Sequence, residues 1–594
     1  MKRLYLPIFF LCLLVIGVNA QDLRSKKVSD VIENGPSKYT ILNTVPGNVI
    51  KSDMPDPSGT VPFPQNWYDY YSNGQSLRSL WVIGDTVIVG IDQADSVAAA
   101  TQCSNCRRTY YQVSFNRGVT WQSSAGIVSQ NGNAYPDISP VFSGGVRTIA
   151  ISGREFVGTT RRCYAGTDIG LGVGVITSVL NPDPPQSIEY FSQKRSSTLL
   201  GGVFQSNDSV YYKTFNYTNN TWSTNKLLLA APPTEIDING RVYSAVSDDG
   251  QYIFIMWWVS TAGDVKMVGK ESTDGGTSFG NIITILPYNT VVHSDNVESW
   301  FGADLMYKPG THNINIVINT LGPGNYAFVG GQKILFWNGT TLICVVDRTN
   351  WPLMADTTAF YNWGGYQQTG MTSLSHPSIN YTSDGNLICV YTADQYPDTA
   401  SYGARFHDIW ESYSTNNGTT WSAPVRLTNT TNLDEIYGSI ARGNGNTLSN
   451  FGVTYMVTSN PGCTGFDPAP SYSPPAAIVY QVYRRYNAIT GVEIPIGVNN
   501  ISEEVPASYS LSQNYPNPFN PSTTIKFGIP KTSNVTLEVF DVTGRLVTTL
   551  VNNEVLTPGI KSVDFYAREL ASGVYFYTLK AGDFYTTKKM ILVK

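Results

Sequence analysis

Short alternating runs dominate this chain. Val535-Thr536-Leu537-Glu538-Val539-Phe540-Asp541 alternates apolar and polar residues, the period of a half-buried strand. Val542-Thr543-Gly544-Arg545 follows as a turn, and 546–550 returns as a second strand. Residues 563–565 and 574–579 add two more, so the last ~80 residues predict a small antiparallel β-sandwich. Upstream, 79–90 reads as strand, Gly84-Asp85 turn and strand. Residues 244–255 and 377–390 repeat that plan around Asp248-Asp249-Gly250 and Asp384-Gly385, dipeptides that favour hairpins. No stretch carries the apolar stripe of a long amphipathic helix, so the fold class is all-β.

Three octets in the middle share the pattern S-x-[DN]-x-G-x-[ST]-[WF]. They run from Ser114 through Asn116 and Gly118 to Trp121, from Ser272 through Asp274 and Gly276 to Phe279, and from Ser414 through Asn416 and Gly418 to Trp421. Asn or Asp accepts backbone N–H groups in a tight turn. Glycine permits positive φ. The hydroxyls bond nearby backbone, and the closing aromatic buries a large area between sheets. The closing aromatics stand at 121, 279 and 421, near-multiples of a ~50-residue unit. Degenerate partners occur at 219–223 and 336–340. About seven units fit between 76 and 490, with six as the alternative count.

These octets resemble the Asp-box, or BNR, repeat of sialidase-like β-propellers. Asp274 fits the central position fully, and Asn116 and Asn416 are softer matches. The resemblance implies a six- or seven-bladed propeller, seven favoured. It also raises a sialidase hypothesis: three arginines on a substrate carboxylate, a Tyr–Glu nucleophile pair and an acid Asp. The Arg-Ile-Pro element of that family is missing here, and Arg78, Arg154, Arg241 and Arg405 sit in no recognisable setting.

The C-terminal stretch carries a second resemblance. Tyr515-Pro516-Asn517-Pro518-Phe519-Asn520-Pro521, the turn at Gly544, Gly573-Val574-Tyr575 and the basic end from Lys588 look like the type A C-terminal sorting domain of the type IX secretion system. This implies export across the outer membrane of a Bacteroidota-like bacterium, with the secretion machinery as partner. It also implies removal of the domain, then release or anchoring at the surface.

The N-terminus agrees with that route. Met1-Lys2-Arg3 is followed by an apolar run over 4–18 and by Val18-Asn19-Ala20, the plan of a signal peptide cleaved before Gln21. No later run is long enough to span a membrane. The expected layout is a signal peptide at 1–20, an extended arm at 21–75, a propeller at 76–490, a linker at 491–510 and a sorting domain at 511–594. Localisation follows as extracellular or outer surface, reached through the periplasm.

Composition narrows the partners. Charged residues are only 14%, and Tyr numbers 37, so the surface hydrates largely through neutral polar groups. A formal net charge of −5 gives no footing for nucleic acid or an anionic membrane. The expected ligand is a glycan or a surface protein, and the expected state is a monomer. Six cysteines remain beyond Cys12: Cys103, Cys106, Cys163, Cys344, Cys389 and Cys463. Cys103-Ser104-Asn105-Cys106 has no second pair to complete a metal site, so structural thiols or loop disulfides are expected.

Candidate chemistry is sparse. His293-Ser294-Asp295 and Arg405-Phe406-His407-Asp408 place a His near an Asp, and both read as loop polar residues. Residues 235–240 resemble the start of a calcium loop but lack its closing Glu. Neither a cofactor nor a metal is expected. The reading that follows is a non-catalytic binding or structural propeller, with a sialidase-like or other polysaccharide-acting enzyme as the alternative.

Overall fold

The computed structural model describes residues 60–63, 66 and most of 78–593. Residues 1–59, 67–77, 95–106, 128–132, 183–188, 230–241, 323–331, 348–373, 400–404 and 462–477, with a few shorter breaks, lie outside the described set. The signal peptide, Cys103, Cys106, Cys463, Arg241 and the stretch 235–240 fall there. Among the described residues no helix is long and apolar enough to cross a membrane.

Among the described residues, seven antiparallel sheets of four or five strands succeed one another, spanning 80–127, 133–180, 189–229, 242–286, 290–346, 374–426 and 434–494. Their strands are apolar on both faces because each sheet is covered on both sides. In the fourth sheet, Phe254, Met256 and Trp258 of the strand Ile253–Thr261 pack against the fifth sheet. The alternate residues Ile253, Ile255 and Trp257 are fully buried as well. Hydrophobic clusters join neighbouring sheets, Tyr212 against Phe279 joins the third to the fourth, and a cluster holding Leu80, Val87, Ala441 and Tyr483 joins the seventh back to the first. The ring is thereby closed, and the fold is a β-propeller.

Part of the expected arm completes that closure. Thr60 and Asn66 bridge to Val482 and Val479 in the seventh sheet, and the Val61 N–H donates to Gln481 O at 2.8 Å. The Asn66 side chain donates to Asp92 O and accepts from the Ala94 N–H, both in the first sheet. Val61 is buried between them. Residues 60–63 and 66 thus clasp the last sheet to the first.

The stretch 491–510 is not the linker expected. Glu493–Ile494 pairs with Arg485 and Tyr486 in the seventh sheet, and Val498–Ser502 pairs with Gly559–Tyr566 of the C-terminal unit. Val498 is buried there, so two segments of this stretch are used as edge strands. The C-terminal unit is a β-sandwich of two four-stranded sheets. Its core includes Phe527, Leu537, Val539, Phe565, Tyr577 and Leu579.

Candidate functional site at the propeller axis

The three octets form turns of one design, each between the third and fourth strands of its sheet. The Ser114 hydroxyl donates to Asn116 Oδ1 and accepts the Gly118 N–H, both at 2.8 Å, while Asn116 Oδ1 accepts the Thr120 N–H at 2.9 Å. Ser272, Asp274, Gly276 and Ser278 repeat this at 2.8 Å throughout, and Ser414, Asn416, Gly418 and Thr420 at 2.9 Å. The Ser278 side chain and backbone hold the Asp274 carboxyl well below the usual carboxylate range. Gly118, Gly276 and Gly418 all have positive φ. A Cβ on Gly418 would stand 2.1 Å from Phe336, so this glycine is required by packing as well as by φ.

Each closing aromatic reaches the preceding sheet. Trp121 meets Tyr483 of the seventh sheet edge-on at 6.2 Å, Phe279 meets Tyr212 of the third at 5.4 Å, and Trp421 meets Phe336 of the fifth at 5.3 Å. Trp421 is half-buried. Trp421→Ala is therefore expected to cost about 2–4 kcal/mol, at or below the range for a fully buried aromatic. Urea denaturation measures this, and an unchanged midpoint would show that the ring does not wedge the sheets. The degenerate stretches form the corresponding turns of the third and fifth sheets, with Asn220 and Gly339 at positive φ.

At the centre of the ring stands Asp304, on the strand Asp295–Tyr307 of the fifth sheet. Its carboxylate accepts from Arg442, which follows the first strand of the seventh sheet, and from Arg78 Nε at 3.4 Å, just before the first sheet. It also accepts the Ile379 N–H at 2.9 Å and the Ser378 hydroxyl at 3.4 Å from the sixth sheet. Arg78 Nη2 donates to Ser244 O in the fourth sheet at 2.7 Å. Groups from the first, sixth and seventh sheets or beside them reach this carboxylate of the fifth, and Arg78 ties in the fourth, which requires that the sheets surround a common axis. Burial lowers the pKa of Arg442, and Asp304 and Asp137 oppose that fall. Arg78 was among the sequence candidates, whereas Asp304 and Arg442 were missed. The available signal was a charge inside an apolar strand, as in Phe301-Gly302-Ala303-Asp304-Leu305-Met306.

Nearer the start of these axial strands, the pairing skips at one equivalent place in four sheets. The register breaks between Ala134 and Asp137, Ser299 and Ala303, Ser375 and Ser378, and Ile436 and Ser439. His376 and Tyr437, both in left-handed backbone, occupy two of these bulges and meet ring to ring at 4.8 Å. Bulges that re-aim side chains cluster beside functional sites, and so does left-handed backbone at bulky residues.

Buried ionisable groups lie between the sixth and seventh sheets. Arg405 pairs with Asp394 at 2.6 Å, and His407 Nδ1 lies 2.7 Å from Asp434. His407 and Asp408 are strand residues with no exposure to speak of, not the loop residues expected, and their partners come from elsewhere in the fold. Burial opposes the charged form of His407, but Asp434, Asp394 and Asp408 outweigh it and raise its pKa. Asp408 pairs with Arg426 at 2.5 Å. Burial pushes the Asp408 and Glu435 carboxyls up. The Arg154 side chain lies outside the described residues.

One group has the donor types of a metal site. His293, Cys344 and Asp347 bring their ligand atoms within 4.8 Å of one another. His293 sits in the tight turn before Asp295 and contacts Asp347 at 2.6 Å. The buried Lys333 ammonium stands 3.1 Å from Asp347 and 3.0 Å from Asp295, so a cation already balances these carboxylates. Burial pushes the Cys344 thiol up to about 12, which keeps it protonated. Cys163, Cys344 and Cys389 are free thiols.

In the sandwich, the Phe519 N–H donates to Ile591 O at 2.9 Å, and the Val593 N–H donates to Phe519 O at 3.0 Å. Asn517 Oδ1 accepts the Ile591 N–H at 2.9 Å. The proline-rich stretch that holds Tyr515, Pro516 and Pro518 is thus tied to the final strand, Phe584–Leu592, which carries Lys588. Phe519 is buried in the core, Gly544 turns at positive φ, and Gly573 opens the strand whose Tyr575 hydroxyl donates to Ala571 O.

Residues 513–594 match the family described as the secretion system C-terminal sorting domain. No curated protein matches the sequence. Among solved structures, the α-L-arabinofuranosidase Arb93A of Fusarium graminearum is similar at 11% identity and a TM-score of 0.32, covering 62% of this chain and 98% of that one. The catalytic domain of the Coprinopsis cinerea GH62 α-L-arabinofuranosidase gives 11% and 0.27, covering 58% and 90%. A protein of unknown function from Dyadobacter fermentans gives 10% and 0.28, covering 73% and 95%. The C-terminal unit is the sorting domain of a type IX secretion substrate, which directs the protein to the cell surface or beyond through that machinery.

Proposed function

We propose that the exported propeller is a seven-bladed, non-catalytic, monomeric module that binds a glycan or a surface protein. In this reading the octet turns are its structural Asp-boxes. One observation carries it: Arg78 and Arg442, which reach the axis, both converge on Asp304. Guanidiniums matched to a buried carboxylate brace the ring and are not aimed at an incoming substrate carboxylate. Neutral polar and aromatic loops suit binding, because Tyr offers large contact area at low entropy cost while Asn and Ser adapt their hydrogen bonds.

A second reading, a polysaccharide-acting enzyme, is favoured by the bulged strands beside His376 and Tyr437. The raised Asp408 and Glu435 carboxyls add to it, since perturbed pKa values gather at catalytic sites. The test is a glycan array run beside turnover of 4-methylumbelliferyl sialoside and arabinofuranoside by the exported protein at acidic to neutral pH. Array binding without turnover is expected. Saturable release that disappears in Glu435→Gln would replace the binding reading with the enzymatic one.

A further inference from the structure

At the other end of the axial strands, a cavity of about 250 Å³ opens where the ring closes. Its walls come from the hairpin turn of the first sheet, at Gly84 and Asp85, and from the hairpin loop of the seventh, at Gly445 and Asn446. Arg117 of the first octet turn and Arg485 of the strand Val479–Tyr486 also line it. Gly84, Gly445 and Gly452 keep these walls low, and a Cβ on Gly84 would meet nothing within 4 Å.

The two arginines differ in their company. Arg117 Nε donates to Asp85 at 2.5 Å, and both side chains are partly exposed at the rim. Arg117 stands at φ +61, where the other octets carry Gly275 at +66 and Asn417 at +56. The left-handed region disfavours a long side chain, so the first octet accepts a local strain that the other two avoid. The result is a guanidinium at the cavity mouth. Arg485 lines the same cavity and is half-buried, and among the described residues no hydrogen bond or ion pair reaches its guanidinium. Burial lowers its pKa, with Arg117 adding to the fall and Tyr483 and Asp85 opposing it. A half-buried guanidinium whose donors meet no acceptor in the cavity is better satisfied when a ligand supplies one.

We propose that this cavity binds one carboxylate group of a ligand the size of a single sugar or amino acid, through Arg485 with Arg117 beside it. Two guanidiniums and the Asp85 carboxylate leave one net positive charge, which matches a monoanion. A guanidinium fork fits a carboxylate in a bidentate manner. The cavity volume suits a monosaccharide more closely than an oligomer. The Asn446 side chain donates to Ala441 O and accepts the Gly452 N–H, which fixes the loop that forms one wall. The inference rests on the binding reading of the propeller and gives it a place and a ligand class.

The experiment is isothermal titration of the full exported protein with D-glucuronate, N-acetylglycine, sulfate and D-glucose. Saturable binding of a carboxylate is expected, with none for D-glucose. Glucuronate binding alone marks a uronic acid as the source, and N-acetylglycine binding alone marks a peptide terminus. Arg485→Gln should lower the carboxylate affinity at least tenfold, while the Tm without ligand holds or rises because one of two neighbouring guanidiniums is gone. Arg117→Asn, which copies the residue of the third octet, should weaken binding without disturbing the turn, and it serves if the first variant does not fold. Wild-type protein that binds no carboxylate overturns the inference, as does affinity unchanged in both variants. Binding of sulfate alone overturns it too. Array ligands that bind wild type and Arg485→Gln alike would keep the propeller a binding module and reject this cavity as its site.

Discussion

Asp304→Asn is expected to destabilise the propeller by about 3–5 kcal/mol, the penalty for removing one partner of a buried ion pair. Asparagine keeps the shape and can still accept the Ile379 N–H, so the loss isolates the charge. Arg442 then remains buried beside Arg78, with Asp137 as its remaining counter-charge. Chemical denaturation of the single variant gives the number. The double variant Asp304→Leu/Arg442→Met should recover part of it, because the buried Arg442 goes together with its carboxylate and only the longer Arg78 contact is left unmatched. A single variant as stable as wild type would mean that the axis is hydrated and that the ion cluster does not brace the ring.

Deletion of residues 498–594 is expected to lower the amount of protein on the surface and in the medium by more than tenfold, with the propeller retained in the periplasm. The cut falls at 498 because Val498–Ser502 belongs to a sandwich sheet, and a cut at 513 would strand an unpaired segment. The sandwich core consists almost wholly of its own residues, so the truncated propeller should keep its Tm within a degree or two. Fractionation and immunoblotting read the first effect, and thermal unfolding reads the second. Surface levels equal to wild type would show that another segment carries the export signal.

The turns were the most legible part of the chain. A Ser, an Asn or Asp and a Gly at fixed spacing make a self-contained hydrogen-bond set, so Ser272, Asp274 and Gly276 reveal their geometry locally. The sandwich strands were legible for the same reason, since alternation at 535–541 reports one buried face. The axial cluster was not. Arg78, Asp304 and Arg442 are far apart in sequence, and only ring closure brings them together. His407 and Asp408 were misread because a neighbouring Asp in sequence points to the opposite face of a strand. The true partners, Asp434 and Arg426, sit on other strands. The linker was misplaced because Val498 carries little signal until its partner strand, far downstream, is known.

The clasp made by residues 60–63 and 66 sets an order of events. Its partners, Val479 to Val482, are made after almost all of the propeller, so the first-made end must wait for the last-made sheet. Contacts between distant parts of a chain form slowly, because loop entropy is lost before they reward it. Throughout that interval the strand Val479–Tyr486 presents open backbone donors and acceptors. The same open edge fits residues 60–66 of a second molecule equally well, since the sequence is identical. Crowding during export therefore sets intramolecular closure against exchange of arms between neighbours, and the length of the intervening chain decides how long that competition lasts.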